Sequence, residues 1–210
     1  MGLAFEELFG LAGALANVPM AGRTDAWILS QLAAAHGLPW RSEELLRFRD
    51  SYLKFLSLEL PKPGPRKGVM PGIRTLLDAL AVRSDIHLAL LTGNFQDGAR
   101  AKLEYFDLWR YFRGGAFGDQ ALDRNALVHE ALAAVMALGG PCVPASDVVI
   151  IGDTPLDVAC AASAGARSIA VATGSHAPAA LRAAGADAVF EDLSETAEVV
   201  SAIFRRAGES

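Results

Sequence analysis

The sequence predicts an α/β fold in which a doubly wound parallel sheet follows an all-α domain. Three observations support this prediction. Helix patterns alone fill residues 1–60, strand and helix patterns alternate after residue 68, and a stretch rich in proline and glycine separates the two parts. Alternating strands and helices are typical of a parallel sheet covered by helices on both faces. The 210 residues, 52% of them hydrophobic, are enough to bury such a core.

The first 60 residues contain three helical patterns of apolar residues. Thr24 or Asp25 is the predicted N-cap of the second helix, and Ser42 is the predicted N-cap of the third. Gly37 and Pro39 should end the second helix. The predicted helices cover residues 3–15, 27–35 and 45–56.

Residues 61–68 read Pro-Lys-Pro-Gly-Pro-Arg-Lys-Gly. Three prolines and two glycines within eight residues are incompatible with a helix or a strand ladder. We therefore predict a linker at residues 61–68 between a helical domain, residues 1–60, and an α/β domain, residues 69–210. The basic residues of this linker are either solvated or directed towards a phosphate.

After the linker the predicted elements alternate. The predicted strands are residues 86–91, 115–117, 148–151, 168–171 and 188–190. The predicted helices are residues 71–82, a helix through Leu103 and Phe106, and residues 125–138, 157–164, 178–184 and 195–206.

Composition excludes several classes of protein. A net charge of -5 argues against a surface for nucleic acid or anionic lipid. No apolar run is long enough to span a membrane, and Glu6 and Glu7 stand where a secretory signal requires positive charge. Two cysteines, Cys142 and Cys160, form no disulfide framework, which is typical of a reducing compartment. We therefore expect a cytoplasmic protein; the sequence indicates no oligomeric state.

The stretch 148–157, Val-Val-Ile-Ile-Gly-Asp-Thr-Pro-Leu-Asp, predicts a buried strand that ends at a ligand site. A continuous Val/Ile run is typical of a strand covered on both faces. Gly152 permits a sharp turn, and Pro155 opens a helix with Asp153 and Asp157 at its amino end. Two acids here are costly to bury without a cation, and their oxygens suit Mg²⁺. Alternatively, one acid caps the helix and the other is solvated.

A second predicted site follows the strand at residues 86–91. Thr92, Gly93 and Asn94 place a hydroxyl, a backbone N–H and an amide at the carboxyl edge of the sheet. Together they can bind phosphate oxygens without adding charge. An ordinary turn is the alternative. Glycine-rich dinucleotide and P-loop motifs do not occur in the sequence.

In combination these motifs resemble the haloacid dehalogenase (HAD) superfamily, and within it the phosphoglycolate-phosphatase-like branch with a helical cap. The resemblance rests on Leu-Leu-Thr-Gly-Asn, Val-Met-Pro-Gly-Ile, and Ile-Ile-Gly-Asp-Thr-Pro-Leu-Asp followed by Val-Ala-Cys-Ala-Ala-Ser-Ala-Gly-Ala-Arg. It covers residues 3–60 as the cap, including Gly22-Arg23-Thr24-Asp25, and residues 68–204 as a HAD-like, Rossmann-type core. It implies a Mg²⁺-dependent phosphatase of a small phosphorylated metabolite.

The resemblance also implies residue roles. Thr92 would hold the transferring phosphoryl group, with the Gly93 N–H and Asn94 beside it. Asp153 would bind Mg²⁺, and Asp157 would support the metal site. Dehalogenation without a metal would not need this pair of acids, which favours phosphatase action.

Two arginines complete the candidate site. The family's third motif supplies a lysine ahead of a helix; no lysine lies there, and Arg124 is the nearest cation. Arginine can neutralise phosphate, although its planar fork differs from a point charge. The alternative is a solvated Arg124 paired with Asp123. Arg23 lies where the cap reaches the substrate in such proteins, or it is exposed without a function.

The family's first motif, Asp-x-Asp-Gly-Thr, does not occur in the sequence. It carries the nucleophile and the general acid/base, and its strand lies between those ending at Thr92 and Gly152 in this fold. Three interpretations stay open: a true start about 20 to 25 residues earlier, a catalytically inactive relative that binds phosphate or a protein, and an unrelated α/β binding domain. We expect the 210-residue form to be inactive and either to fold poorly or to have a slot in its sheet.

Overall fold

The computed structural model describes residues 1–38, 41–64, 67–119 and 121–205, which form nine α-helices and five short strands. Parts of three predictions lie outside these residues: Pro39 as a helix stop, Pro65 and Arg66 in the linker, and Arg206 in the last helix. None of the described helices is both long and apolar enough to cross a membrane.

Three helices precede the first strand, as predicted: α1 (Gly2–Phe9), α2 (Asp25–Ala35) and α3 (Ser42–Glu59). The first is shorter than predicted because Gly10, with φ 69°, ends it in a left-handed conformation. The N-cap of α3 is Arg41, so the prediction of Ser42 was wrong; the Glu44 carboxylate accepts a hydrogen bond from the Arg41 N–H at 3.1 Å.

The helical part has its own apolar core. Phe5 of α1, Leu29 and Leu32 of α2, and Phe48 of α3 are at most 1% exposed and pack into one cluster. Phe95, which follows the first strand, completes this cluster at 1% exposure. Burial of each such side chain contributes about 1.5–3 kcal/mol, so the helices are held against one another and against the loop that carries Phe95.

The rest of the chain alternates between strand and helix. The strands are β1 (Leu90–Leu91), β2 (Gly115–Ala116), β3 (Val149–Gly152), β4 (Arg167–Val171) and β5 (Ala188–Phe190). The helices are α4 (Ile73–Ala81), α5 (Gln96–Tyr105), α6 (Leu127–Ala137), α7 (Pro155–Ala164), α8 (Pro178–Ala183) and α9 (Thr196–Phe204). All strand pairs are parallel, which confirms the α/β fold class.

The described strands form two sheets, with orders β1-β2 and β3-β4-β5. Only the last two residues of the strand predicted at 86–91 are paired, with Leu90 opposite Gly115 and Leu91 opposite Ala116. The partner β2 is itself only two residues long, and no described strand pairs with the other edge of β1. That the first core strand of the fold is missing from this chain stays a prediction.

Burial along the three-stranded sheet differs from the prediction for β3. Ile150 is buried, but Ile151 is 38% exposed, so β3 is not covered on both faces. Among the described residues β3 has a partner only in β4, which leaves one of its edges open. The strand between two partners, β4, is the buried one.

Helices cover both faces of β4, as the doubly wound pattern predicts. Ile169 and Val171 pack with Leu76 of α4 and Val199 of α9 on one face. Ala170 points to the other face, where it packs with Val158 of α7 and Leu181 of α8. This layering holds the amino end of α7 beside the carboxyl end of β3, which positions the candidate site.

Candidate active site

A cleft of about 570 Å³ lies where β1 and β3 end. Its polar wall is formed by loops that follow the strands, and its apolar wall includes Leu15, Met20, Ile28 and Leu56 from the helical part. Carboxyl ends of parallel strands are the usual position of ligand sites in α/β proteins. All seven predicted site residues line this cleft: Arg23, Thr92, Gly93, Asn94, Arg124, Asp153 and Asp157.

The segment 22–25 is packed directly against the loops that carry these residues. A Cβ on Gly22 would lie 2.7 Å from the Thr154 Oγ1, and a Cβ on Gly93 would lie 2.2 Å from the Arg23 carbonyl oxygen. Gly93 is required because the Arg23 backbone lies against it, and Gly22 is favoured because its φ of 72° is left-handed and the Thr154 side chain leaves no room for a Cβ. The Arg23 side chain lines the cleft, with its guanidinium 4.4 Å from the centre of the Trp27 ring.

Hydrogen bonds fix the amino end of α2 to the same loops. Thr24 is its N-cap, accepting from the Trp27 N–H at 3.1 Å while its hydroxyl donates to the Ala121 carbonyl at 2.5 Å. The Asp25 N–H donates to the Gly93 carbonyl at 2.6 Å, and the Asp25 carboxylate accepts from the Phe95 N–H at 2.8 Å. Three polar groups at the amino end of α2, the Thr24 hydroxyl and the Asp25 N–H and carboxylate, are therefore satisfied by the neighbouring loops rather than by water.

Asp157 and Thr154 form a capping box at the amino end of the helix that follows β3. Pro155 is the first residue of α7, as the sequence predicts, and Thr154 is its N-cap. The Asp157 carboxylate accepts hydrogen bonds from the Thr154 N–H at 3.0 Å and from its hydroxyl at 2.8 Å. Gly152 is needed for close approach rather than for a turn, since a Cβ there would lie 2.2 Å from the Asp157 Cγ.

Arg124 forms an ion pair with Asp157 rather than with Asp123. Its Nη2 lies 2.6 Å from the Asp157 Oδ1, and its side chain is only 16% exposed. Asp123 instead accepts from the Asn125 N–H at 3.0 Å, so the alternative of a solvated Arg124 paired with Asp123 is wrong. The Arg124 Nε is buried without a hydrogen-bond partner among the described residues.

Asp153 is the carboxylate that remains open to the cleft. It forms no ion pair with a described cation, and its pKa is raised by partial burial and by the nearby negative charge of Asp157. A hard cation would relieve both effects, so Asp153 fits a magnesium ligand. Asp157 fits less well because both of its oxygens are already bonded to Thr154 and Arg124. The described residues contain no cluster of three potential ligands around either acid.

The loop after β1 presents hydrogen-bond donors to the cleft. The Thr92 Oγ1 accepts from the Asn94 N–H at 3.2 Å and from the Asn94 side-chain amide at 2.9 Å. Its own proton is therefore free to point into the cleft. The Gly93 N–H has no acceptor within the described part of the chain. This arrangement offers two neighbouring donors to an anion.

Sequence reasoning missed two charged residues that line the cleft, Lys102 of α5 and Asp25 of α2. Burial raises the pKa of Asp25 and lowers the pKa of Lys102, and the opposite charge of each partly offsets the shift of the other. Helical spacing could have found Lys102, because it shares a face with Phe95 and Ala99, which are 1% and 5% exposed.

Comparisons with known proteins agree with this geometry. A family model described as HAD-hydrolase-like matches residues 124–196. The curated phosphoglycolate phosphatase of Rhodospirillum rubrum is 35% identical over 141 residues, which are 67% of this chain and 56% of that protein. The match thus spans little more than half the length of that relative.

Solved structures share the fold. A hydrolase from Pseudomonas syringae superposes with a TM-score of 0.67 at 20% identity, over 95% of this chain and 87% of that one. A structure described as a predicted phosphoglycolate phosphatase from Haemophilus somnus gives a TM-score of 0.65 at 16% identity, over 95% and 88%. The family model therefore identifies residues 124–196, which contain Arg124, Asp153 and Asp157, as haloacid dehalogenase-like, and the chain shares its fold with these solved structures.

Proposed function

We propose that this protein is a phosphoric monoester hydrolase of a small phosphorylated metabolite, similar to phosphoglycolate phosphatases, and that the cleft is its phosphate-binding site. The observation that carries the proposal is the meeting of Thr92, Arg124 and Asp153 in one cleft although they lie far apart in the sequence. Donors without partners beside a solvent-accessible carboxylate suit a phosphoryl group bound together with a cation.

Each residue has a distinct part in this proposal. The Thr92 hydroxyl and the Gly93 N–H donate to phosphoryl oxygens, and Arg124 contributes positive charge while Asp157 holds its guanidinium in place. Asp153 provides a carboxylate oxygen for Mg²⁺, and Asp157 supports that site through Arg124 and the α7 cap. When bound, magnesium would neutralise charge on the phosphoryl group. Arg23 reaches the substrate from the apolar side of the cleft.

The domain organisation belongs to the same proposal. Residues 1–60 form the cap that selects the leaving group, residues 61–68 the linker, and residues 69–210 the core that holds the phosphoryl group. The wall from the helical part is mainly apolar whereas the opposite wall is polar, which suits a small substrate with one charged end.

Phosphate binding is the first test. The 210-residue chain should bind inorganic phosphate in isothermal titration calorimetry with MgCl₂ present. Thr92→Val should weaken binding about tenfold or more, because a hydrogen bond to a charged group contributes about 1.5–3 kcal/mol. Thr196→Val, which removes a hydroxyl from α9, is the matched control and should bind like the unmodified chain. Equal binding by the Thr92 and Thr196 variants would contradict the proposal.

The same chain should not hydrolyse p-nitrophenyl phosphate. Its sequence contains no Asp-x-Asp-Gly-Thr motif to supply the nucleophile and the general acid/base, and none of the proposed residues takes that part. Turnover that is lost in Asp153→Ala would contradict this expectation, and another nucleophile would then have to be sought.

A further inference from the structure

Lys102 is connected to the phosphate-binding loop by a chain of hydrogen bonds. Its Nζ donates to the Asn94 Oδ1, and the Asn94 Nδ2 donates to the Thr92 Oγ1 at 2.9 Å. With its oxygen bound to Lys102 and its nitrogen to Thr92, the Asn94 amide has one orientation. Asn94 in turn leaves the Thr92 proton directed away from the loop. Lys102 therefore fixes the donor geometry of a residue that it does not touch.

The ammonium group also has unused capacity. It carries three N–H donors, and Asn94 accepts from one of them. Lys54 and Lys62 form ion pairs with Glu7 and Glu59 at the surface, but Lys102 lies within 4 Å of no described carboxylate. The other two N–H donors belong to a side chain that lines the cleft, so they are available to a ligand there.

Charge balance around Lys102 indicates an anionic ligand. The nearest opposing charge is Asp25, whose carboxylate already accepts from the Phe95 N–H at 2.8 Å. Burial lowers the pKa of Lys102, and Asp25 only partly offsets this effect. A partly buried cation without a contacting counter-ion is stabilised when an anion enters the cleft.

We propose that Lys102 is a substrate-binding residue that donates to a phosphoryl oxygen and, through Asn94, positions the Thr92 hydroxyl. This inference rests on the proposed function of the cleft. It adds the charge of Lys102, from the helix after β1, to the charge supplied by Arg124 from the turn before α6. Because Arg124 is already paired with Asp157, Lys102 would supply positive charge that no carboxylate contacts among the described residues.

Inorganic phosphate is the probe for the test, and binding is measured by calorimetry at pH 7. Lys102→Met keeps the length of the side chain without its charge and should weaken binding at least tenfold. Lys62→Met removes a lysine that is paired with Glu59 outside the cleft, and it should bind like the unmodified chain. Binding by Lys102→Met within twofold of the unmodified chain would overturn the inference while leaving the proposed function intact.

A pH series separates charge donation from a purely structural role. Affinity of the unmodified chain should fall as pH rises through the lowered pKa of Lys102, whereas Lys102→Arg should retain affinity because arginine keeps its charge. Parallel pH profiles for the two proteins would contradict the inference. Absence of phosphate binding by the unmodified chain at every pH would instead overturn the proposed function and this inference with it.

A protection experiment covers the case in which Lys102→Met fails to fold. The unmodified chain is treated with acetic anhydride, and acetylation of each lysine is followed by mass spectrometry with and without phosphate. Phosphate should slow acetylation of Lys102 and leave that of Lys62 unchanged. Equal acetylation of Lys102 in both samples, under conditions in which calorimetry detects binding, would count against the inference.

Discussion

At the scale of single residues, the cleft contains carboxyl groups that are almost completely buried, and burial disfavours their ionised form. Asp25 is 7% exposed and Asp157 is 5% exposed, yet their neighbours differ. Asp157 has Arg124 in contact at 2.6 Å, whereas Asp25 has the Phe95 N–H and a more distant lysine. The first acid is compensated by contact, and the second retains a raised pKa. Ligand sites commonly contain such uncompensated groups.

Asp25 should make the native state less stable as pH rises. Because its pKa is raised, the unfolded chain loses the proton first, near the ordinary value of about 4, and the native chain loses it at higher pH. The contribution of Asp25 to stability is therefore greatest below pH 4 or so and falls as pH rises through the native pKa. Asp25→Asn should remove this dependence. The free energy of unfolding of Asp25→Asn, relative to that of the unmodified chain, should therefore increase between about pH 4 and pH 7.

Urea denaturation across that pH range measures the effect. Asp85→Asn is the control, because the contribution of Asp85 to stability changes with pH in the opposite direction. The Arg83 hydrogen bonds lower the pKa of Asp85, so the contribution of Asp85 is present above its unfolded pKa and lost as pH falls. A constant difference between Asp25→Asn and the unmodified chain at all pH values would refute the prediction.

At the scale of elements, α2 is the helix on which the cleft depends. Its N-cap and first turn are bonded to the loops after β1 and β2, and its apolar face packs against α1 and α3. Its local amphipathic pattern predicts the helix but not what its amino end contacts. Because Thr24 is 1% exposed, its hydroxyl bonds are shielded from water and costly to lose.

Thr24→Val should lower the free energy of unfolding by about 2–3 kcal/mol. The substitution keeps the shape of the side chain, but it removes the N-cap of α2 and leaves the Ala121 carbonyl without its donor. Thr24→Ser retains the hydroxyl and should cost less than about 1 kcal/mol. Both are measured by urea denaturation; similar losses for the two variants would show that the hydroxyl is not the stabilising group.

At the scale of the whole molecule, ion pairs join the helical part to the loops that carry the site. The Arg49 Nη2 on α3 lies 3.2 Å from the Asp97 Oδ2 and 2.8 Å from the Asp119 Oδ1. The same guanidinium lies 5.3 Å from the centre of the Phe95 ring. Arg49 therefore contacts both the first turn of α5 and the loop after β2.

Arg49→Met should destabilise the protein modestly, by about 1 kcal/mol, because the pairs are only partly buried and compete with water. The loss should shrink at high salt, which screens such pairs in the unmodified chain. Denaturation at 0.05 and about 0.5 M NaCl compares the two proteins. Lys62→Met, which breaks an exposed pair within one segment, is the control and should have a smaller effect. A loss that does not depend on salt would assign the role of Arg49 to packing instead.

The sequence by itself determined the order of helices and strands, their parallel pairing and most of the cleft. Local periodicity specifies a helix or a strand, and parallel strands direct their carboxyl ends to one edge. Thr92 and Asp153 were therefore predictable neighbours. Strand lengths were less predictable, because a ladder extends only as far as its partner, and β1 has two paired residues where six were expected.

Only the tertiary structure decided which side chains contact one another across the cleft. Arg124 pairs with Asp157, 33 positions away, rather than with the adjacent Asp123. Lys102 joins the phosphate-binding loop because α5 turns that face inward. These contacts depend on how packed helices are rotated and how closely loops approach at glycines, and no local pattern carries that information. The physical reason is that packing joins residues distant in sequence, whereas periodicity describes only near neighbours.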